Sequence, residues 1–123
     1  AKKYGVDVIS MISPTSEERI ARIAKEATGF IYVVSSMGVT GVRSEIHTDL
    51  AKIIEKIRSV TDVPCAIGFG ISTPEQAEKM AALADGAIVG SAIVKIVAEY
   101  KEEAAQPLYD YVASMKQAVL AAR

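Results

Sequence analysis

The chain has 123 residues, half of them hydrophobic, with 14 basic and 15 acidic side chains and a net charge of −1. This length suits one domain with its own core, and interspersed, near-balanced charge argues against nucleic acid or an anionic membrane surface as partner. No apolar run has the length of a membrane span and no signal-peptide pattern opens the sequence. The lone cysteine, Cys65, excludes an internal disulfide and fits a cytoplasmic protein.

The pattern is strand then helix, repeated. A strand is expected over Val6–Ile12, an apolar run broken by Asp7 and Ser10. Pro14 to Glu18 begins a helix, with Thr15 and Glu18 at capping-box spacing, and the helix stops at Gly29. A second strand covers Phe30–Val34, aromatic and β-branched. A long loop from Ser35 to Thr48 precedes a helix over Asp49–Ser59, whose Leu50, Ile53, Ile54 and Ile57 share one face. The third strand is Cys65–Ile67. Ser72, Pro74 and Glu75 supply a hydroxyl cap, a proline near the first helical position and a capping-box acid, and that helix runs to about Leu83. A fourth strand covers Gly86–Val89. A helix from Ser91 to about Glu103 follows, and Pro107 starts the last one, with Leu108, Tyr111, Val112, Met115 and Val119 as its buried stripe.

Strands joined by helical crossovers are parallel, with right-handed connections. Four strands fit either an open α/β sheet or half of an eight-stranded (β/α)8 TIM barrel, which takes about 250 residues. The opening Ala1-Lys2-Lys3-Tyr4-Gly5 reads as the last turn of a helix with its glycine stop, as though cut from something longer. Residues 1–123 read as one segment with no second domain.

Working residues of parallel α/β folds lie at the C-terminal strand ends. Here these ends are Ser13-Pro14, Ser35-Ser36-Met37-Gly38, Gly68-Phe69-Gly70 and Gly90-Ser91. They carry no Lys, His, Cys, Asp or Glu, so a Schiff-base mechanism lacks its amine. His47 alone cannot build a metal site and reads as a loop or cap residue. Asp7 and Asp85 fall at strand starts, the face tied to stability. Glu45 and Asp49, the acids nearest a top-face loop, read either as ligand contacts or, by preference, as a solvated loop acid and a helix N-terminal acid. Two adjacent strand-to-helix turns with Gly and Ser at their tips suit an anion, because backbone N–H groups approach it closely and the helix end adds partial positive charge. Phe69 reads as an aromatic wall beside that anion. Tyr32 reads equally as such a wall or as packing within the sheet. The glycines around Thr40 suit a mobile lid, and Arg43 reads equally as an anion ligand or a loop anchor.

Tyr32-Val33-Val34-Ser35, Gly38-Val39-Thr40-Gly41, Gly68-Phe69-Gly70-Ile71-Ser72 with Pro74-Glu75-Gln76, and Gly90-Ser91-Ala92-Ile93-Val94-Lys95 closely resemble the tryptophan synthase alpha chain family, in order and spacing along the whole chain. The resemblance implies the C-terminal, phosphate-binding half of a TIM barrel, strands five to eight. It implies a lyase of tryptophan biosynthesis that cleaves indole-3-glycerol phosphate, without a cofactor, to indole and glyceraldehyde 3-phosphate, and that passes indole to a beta chain. Gly41, Gly70, Gly90 and Ser91 would form the phosphate cradle, open to phosphate or sulfate as well. Tyr32 and Phe69 would line the indole site. Residues Ser36 to Arg43 would be the lid, with Thr40 against the catalytic aspartate. At Ser36 the chain departs from the basic residue that many members carry. The family's acid–base carboxylates belong to the other half, so no catalytic residue is expected here. The isolated chain is then expected to be inactive, and to bind the missing N-terminal half or a second copy of itself. The alternative is a self-contained half-barrel acting as a binding or assembly module.

Overall fold

A computed structural model describes residues 1–35, 43–68 and 70–122, with the backbone alone over 43–49. The strands are β1 (Ser10–Ile12), β2 (Ile31–Val34), β3 (Cys65–Gly68) and β4 (Gly86–Ile88). The helices are α1 (Glu17–Glu26), α2 (Arg43–Arg58), α3 (Pro74–Leu83), α4 (Ser91–Tyr100) and α5 (Ala105–Ala121). The sheet is parallel in the order β1-β2-β3-β4. Each strand thus pairs with its successor through a helical crossover, as the alternating pattern requires.

Strand register divides the side chains between two faces. Ile12, Val33 and Ile67 stand side by side, as do Ile31 and Cys65. All five are buried under α1, α2, α3 and α5, against Ile20, Leu50, Ile54, Ile57, Ala77, Met80 and Met115. Each large aliphatic side chain so buried contributes about 1.5–3 kcal/mol of transfer free energy. The opposite face carries Met11, Tyr32, Ala66 and Gly86 in one row and Val34, Gly68 and Ile88 in the next. It has no helix over it among the described residues, and Met11 is 61% exposed.

Several boundaries differ from those expected. β1 is confined to Ser10–Ile12. It can pair only as far as β2 extends, and residues 6–9 precede that register, leaving Val6 and Val8 exposed. α1 is capped at Ser16, which makes no side-chain cap bond, so the Thr15–Glu18 box does not form. α2 starts at Arg43, well before Asp49. The stretch expected as loop up to Thr48 is therefore helical from residue 43, continuing the turns that bury Leu50. α3 is capped by Thr73 with Gln76, not by Ser72 with Glu75, because Pro74 occupies the first helical position and the cap must precede it. α4 ends at Tyr100 and passes into a 3₁₀ turn, Lys101–Glu103. Val112, expected in the buried stripe of the last helix, is exposed, as are Val94 and Val97 of α4. The opening turn does form: Lys2–Tyr4 is a 3₁₀ turn closed by Gly5 at φ 68°.

Candidate functional site

The candidate site lies at the C-terminal ends of β2, β3 and β4. Gly68 of β3 pairs with Ile88 of β4, so Gly70 and Gly90 leave adjacent strands at the same height. Gly70, Gly90 and Ser91 thus all follow the C-terminal ends of the neighbouring strands β3 and β4. Gly70 has φ 79°, a left-handed conformation that a Cβ would strain by about 1–2 kcal/mol. Gly90 is different. It is the residue before α4, its φ is −121°, and a Cβ there would meet no atom within 4 Å.

The two helix starts also differ. At α3, Thr73 Oγ1 accepts from the Gln76 N–H at 3.3 Å, and Gln76 Oε1 accepts from the Thr73 N–H at 3.2 Å. At α4 the preceding glycine has no side chain to cap with, and the first turn carries no acid. The leading N–H groups of a helix have no intrahelical partner, so Ser91 and Ala92 head a helix end suited to a negative charge.

Tyr32 projects from the open face of the sheet, half-buried, and packs across Gly68 on the neighbouring strand. Tyr32 therefore stands outside the helix-side core, which is built from Ile31 and Val33 instead. Below this ring, Ser35 is fully buried. Its N–H and Oγ donate to the Gly68 carbonyl at 2.9 and 3.1 Å. That pair ties the end of β2 to the end of β3 immediately before residue 69. In the sequence, the signal for this tie is a hydroxyl residue closing an apolar strand.

Phe69, Thr40 and Gly41 lie outside the described residues, as do Ser36, Met37 and Gly38. The side chains of Arg43, Glu45, His47 and Asp49 do too, though the backbone places Arg43, Glu45 and His47 on α2 and not in a loop, and Asp49 inside that helix and not at its start. At the opposite end of the sheet, Asp85 Oδ2 accepts from the Cys65 N–H at 2.8 Å, and its Oδ1 lies 3.6 Å from Arg58. Asp85 therefore pins a strand start, as its position suggested. Cys65 is fully buried, and burial, followed by the nearby Asp85 charge, pushes its thiol above the ordinary value.

An apolar cleft of about 350 Å³ opens between β4, α3, α4 and α5, lined among others by Ala77, Ala87, Val89, Ile93 and Tyr111. It lies on the helix side of the sheet and carries none of the candidate anion or indole residues. No helix among the described residues is long and apolar enough to cross a membrane.

A parallel sheet with crossover helices on one face and glycine turns at its C-terminal end defines a (β/α) barrel protein, represented here by four of its units. Comparison with known proteins narrows this. The family profile described as tryptophan synthase alpha chain matches residues 1–121. The tryptophan synthase alpha chain of Lacticaseibacillus casei is 53% identical over 119 residues, which is 97% of this chain and 45% of that protein. The one from Lactiplantibacillus plantarum is 54% identical over 117 residues, 94% of this chain and 44% of that protein. Among solved structures, tryptophan synthase subunit alpha from Campylobacter jejuni superposes with a TM-score of 0.82 at 32% identity, over 93% of this chain and 45% of that one. The chain belongs to the tryptophan synthase alpha chain family, and it spans about half the length of the curated relatives it matches.

Proposed function

We propose that this chain is the C-terminal, substrate-binding half of a tryptophan synthase alpha chain, a lyase that cleaves indole-3-glycerol phosphate to indole and glyceraldehyde 3-phosphate. Gly70, Gly90 and Ser91, with Gly41, hold the phosphate through backbone N–H groups. Tyr32 and Phe69 flank the indole, and Thr40 belongs to the lid. The observation that carries this reading is the pairing of two glycine turns on adjacent strands, one at positive φ and one with open space above an uncapped helix.

The chemistry divides accordingly. Cleaving the carbon–carbon bond that joins the indole ring to the glycerol phosphate chain requires a base to take a substrate proton and an acid to protonate the ring carbon. The described strand ends offer neither, since they carry only Ser, Pro and Gly. This half binds and orients, and the acid–base carboxylates come from the N-terminal half. The whole protein would then hand indole to a beta chain.

Joining residues 1–123 to the N-terminal half of the Lacticaseibacillus casei relative tests the reading. The joined protein is expected to release indole from indole-3-glycerol phosphate, whereas residues 1–123 alone release none. A folded chimera without activity would overturn the assignment.

A further inference from the structure

We infer that Tyr111 is a positioning residue for the phosphate loop: its hydroxyl, carried on α5, fixes the backbone that presents the Gly70 amide to the anion. The inference rests on the reading of Gly70 as part of the cradle.

The Tyr111 hydroxyl donates to the Ser72 carbonyl at 2.8 Å, across 39 residues of sequence. The Ser72 N–H donates in the other direction, to Gln76 Oε1 at 2.9 Å. Ser72 is thus held through both of its backbone polar groups, by α3 on one side and α5 on the other. Beside it, Ile71 is 3% exposed and anchored in the core. The two residues that follow Gly70 therefore have little freedom. Gly70 is at φ 79°, a conformation that glycine alone would leave readily. Its amide direction is set by the clamp on Ile71 and Ser72, since glycine has no side chain to fix it. Of the two hydrogen bonds on Ser72, the one from Tyr111 comes from outside the loop and its own helix.

The hydroxyl is poised to donate. Burial pushes the Tyr111 phenol above its ordinary value of 10.0, so it keeps its proton throughout the neutral range. The ring below it lines the apolar cleft between α3, α4 and α5. Packing and hydrogen bonding can therefore be separated by substitution. Tyr111→Phe keeps the ring and deletes the donor, whereas Tyr111→Leu removes both.

Amide NMR of the 123-residue chain titrated with inorganic phosphate, alongside urea denaturation, separates the outcomes. In the wild-type chain phosphate is expected to move the Gly70 and Ser91 amides. Tyr111→Phe should shift the Gly70 amide before any phosphate is added and weaken phosphate binding about three- to tenfold, the range of one net hydrogen bond. Tyr111→Leu should weaken phosphate equally while lowering the denaturation midpoint further. Unchanged phosphate affinity in Tyr111→Phe would overturn the positioning role and leave the cradle standing. A wild-type chain whose Gly70 and Ser91 amides ignore phosphate would overturn both.

Discussion

The Tyr32 phenol lies directly across Gly68 on the neighbouring strand, its Cζ 2.6 Å from where a Gly68 Cβ would stand. Glycine at 68 is therefore a condition for this position of the tyrosine ring. Gly68→Ala is expected to displace the ring and destabilise the chain by about 1–3 kcal/mol, the range for overpacking. Adding Tyr32→Ala should recover part of that loss, giving a coupling in the double-mutant cycle. Urea denaturation measures it, and strictly additive effects would show that the ring and the glycine do not compete for space.

Asp85 and Cys65 make a second such relationship at the opposite end of the sheet. The carboxylate accepts the Cys65 N–H, and the Asp85 N–H donates to the Cys65 carbonyl at 2.9 Å. Asp85→Ala leaves the Cys65 N–H without that acceptor and should cost about 1–3 kcal/mol. The Arg58 pairing is half-exposed at 3.6 Å, so Arg58→Ala should cost less than about 1 kcal/mol. Equal costs would mean that the ion pair, and not the hydrogen bond, holds the start of β3.

Cys65 also predicts a pH response. Its folded-state thiol is raised above the ordinary value of 9.0, first by burial and then by Asp85. In the unfolded chain the thiol ionises first, so above about pH 9 the folded state holds more protons than the unfolded one. Stability linked to Cys65 is therefore complete below that pH and falls as pH rises. Denaturation midpoints measured from pH 7 to 10 should decline less in Cys65→Ala than in the wild-type chain. The native thiol should also resist alkylation at pH 8, at a rate set by unfolding.

Much of the fold was legible because its signals are local. Pro74 announced the start of α3, and buried Ile31, Val33 and Ile67 announced the strands. Ser72–Glu75 and Thr73–Gln76 both satisfy the capping-box spacing, and only the place of Pro74 decides between them. The length of β1 was not legible, since it depends on how far β2 extends. Of the candidate site, Gly70, Gly90 and Ser91 were identifiable from strand-end glycines. The Ser35 tie to Gly68 and the Tyr111 bond to Ser72 were not, because each joins residues far apart in sequence.

Gly90 offers the cleanest probe of the anion cradle. Its φ is negative and an added methyl meets no protein atom, so Gly90→Ala should change stability by less than about 0.5 kcal/mol. The methyl would occupy the approach to the α4 N–H groups. Phosphate affinity should fall about tenfold or more, the loss expected when charge-assisted hydrogen bonds are lengthened. Gly70→Ala should weaken phosphate too, with an added stability cost from its φ of 79°. Calorimetric titration with phosphate checks both, and full affinity in Gly90→Ala would remove α4 from the cradle.

The open face of the sheet leads to an expectation about assembly. β1 and β4 are the two edges of a parallel sheet, and unpaired strand edges are templates for another chain. Met11 is 61% exposed on the uncovered face, and Val8, which precedes β1, is 66% exposed. Two copies related by a twofold axis could pair β4 of each with β1 of the other and complete an eight-stranded ring. On the proposed reading, an N-terminal half from a relative would offer the same two edges together with the acid–base groups. The 123-residue chain is therefore expected to self-associate at micromolar concentration, and Met11→Lys, which places a charge on the inner face beside Tyr32, should shift it towards monomer. Adding the N-terminal half should replace the self-associated form with a one-to-one complex that cleaves indole-3-glycerol phosphate. Sedimentation velocity follows the first two steps and indole release the third. A stable, folded monomer that takes no partner would instead favour a half-barrel complete in itself.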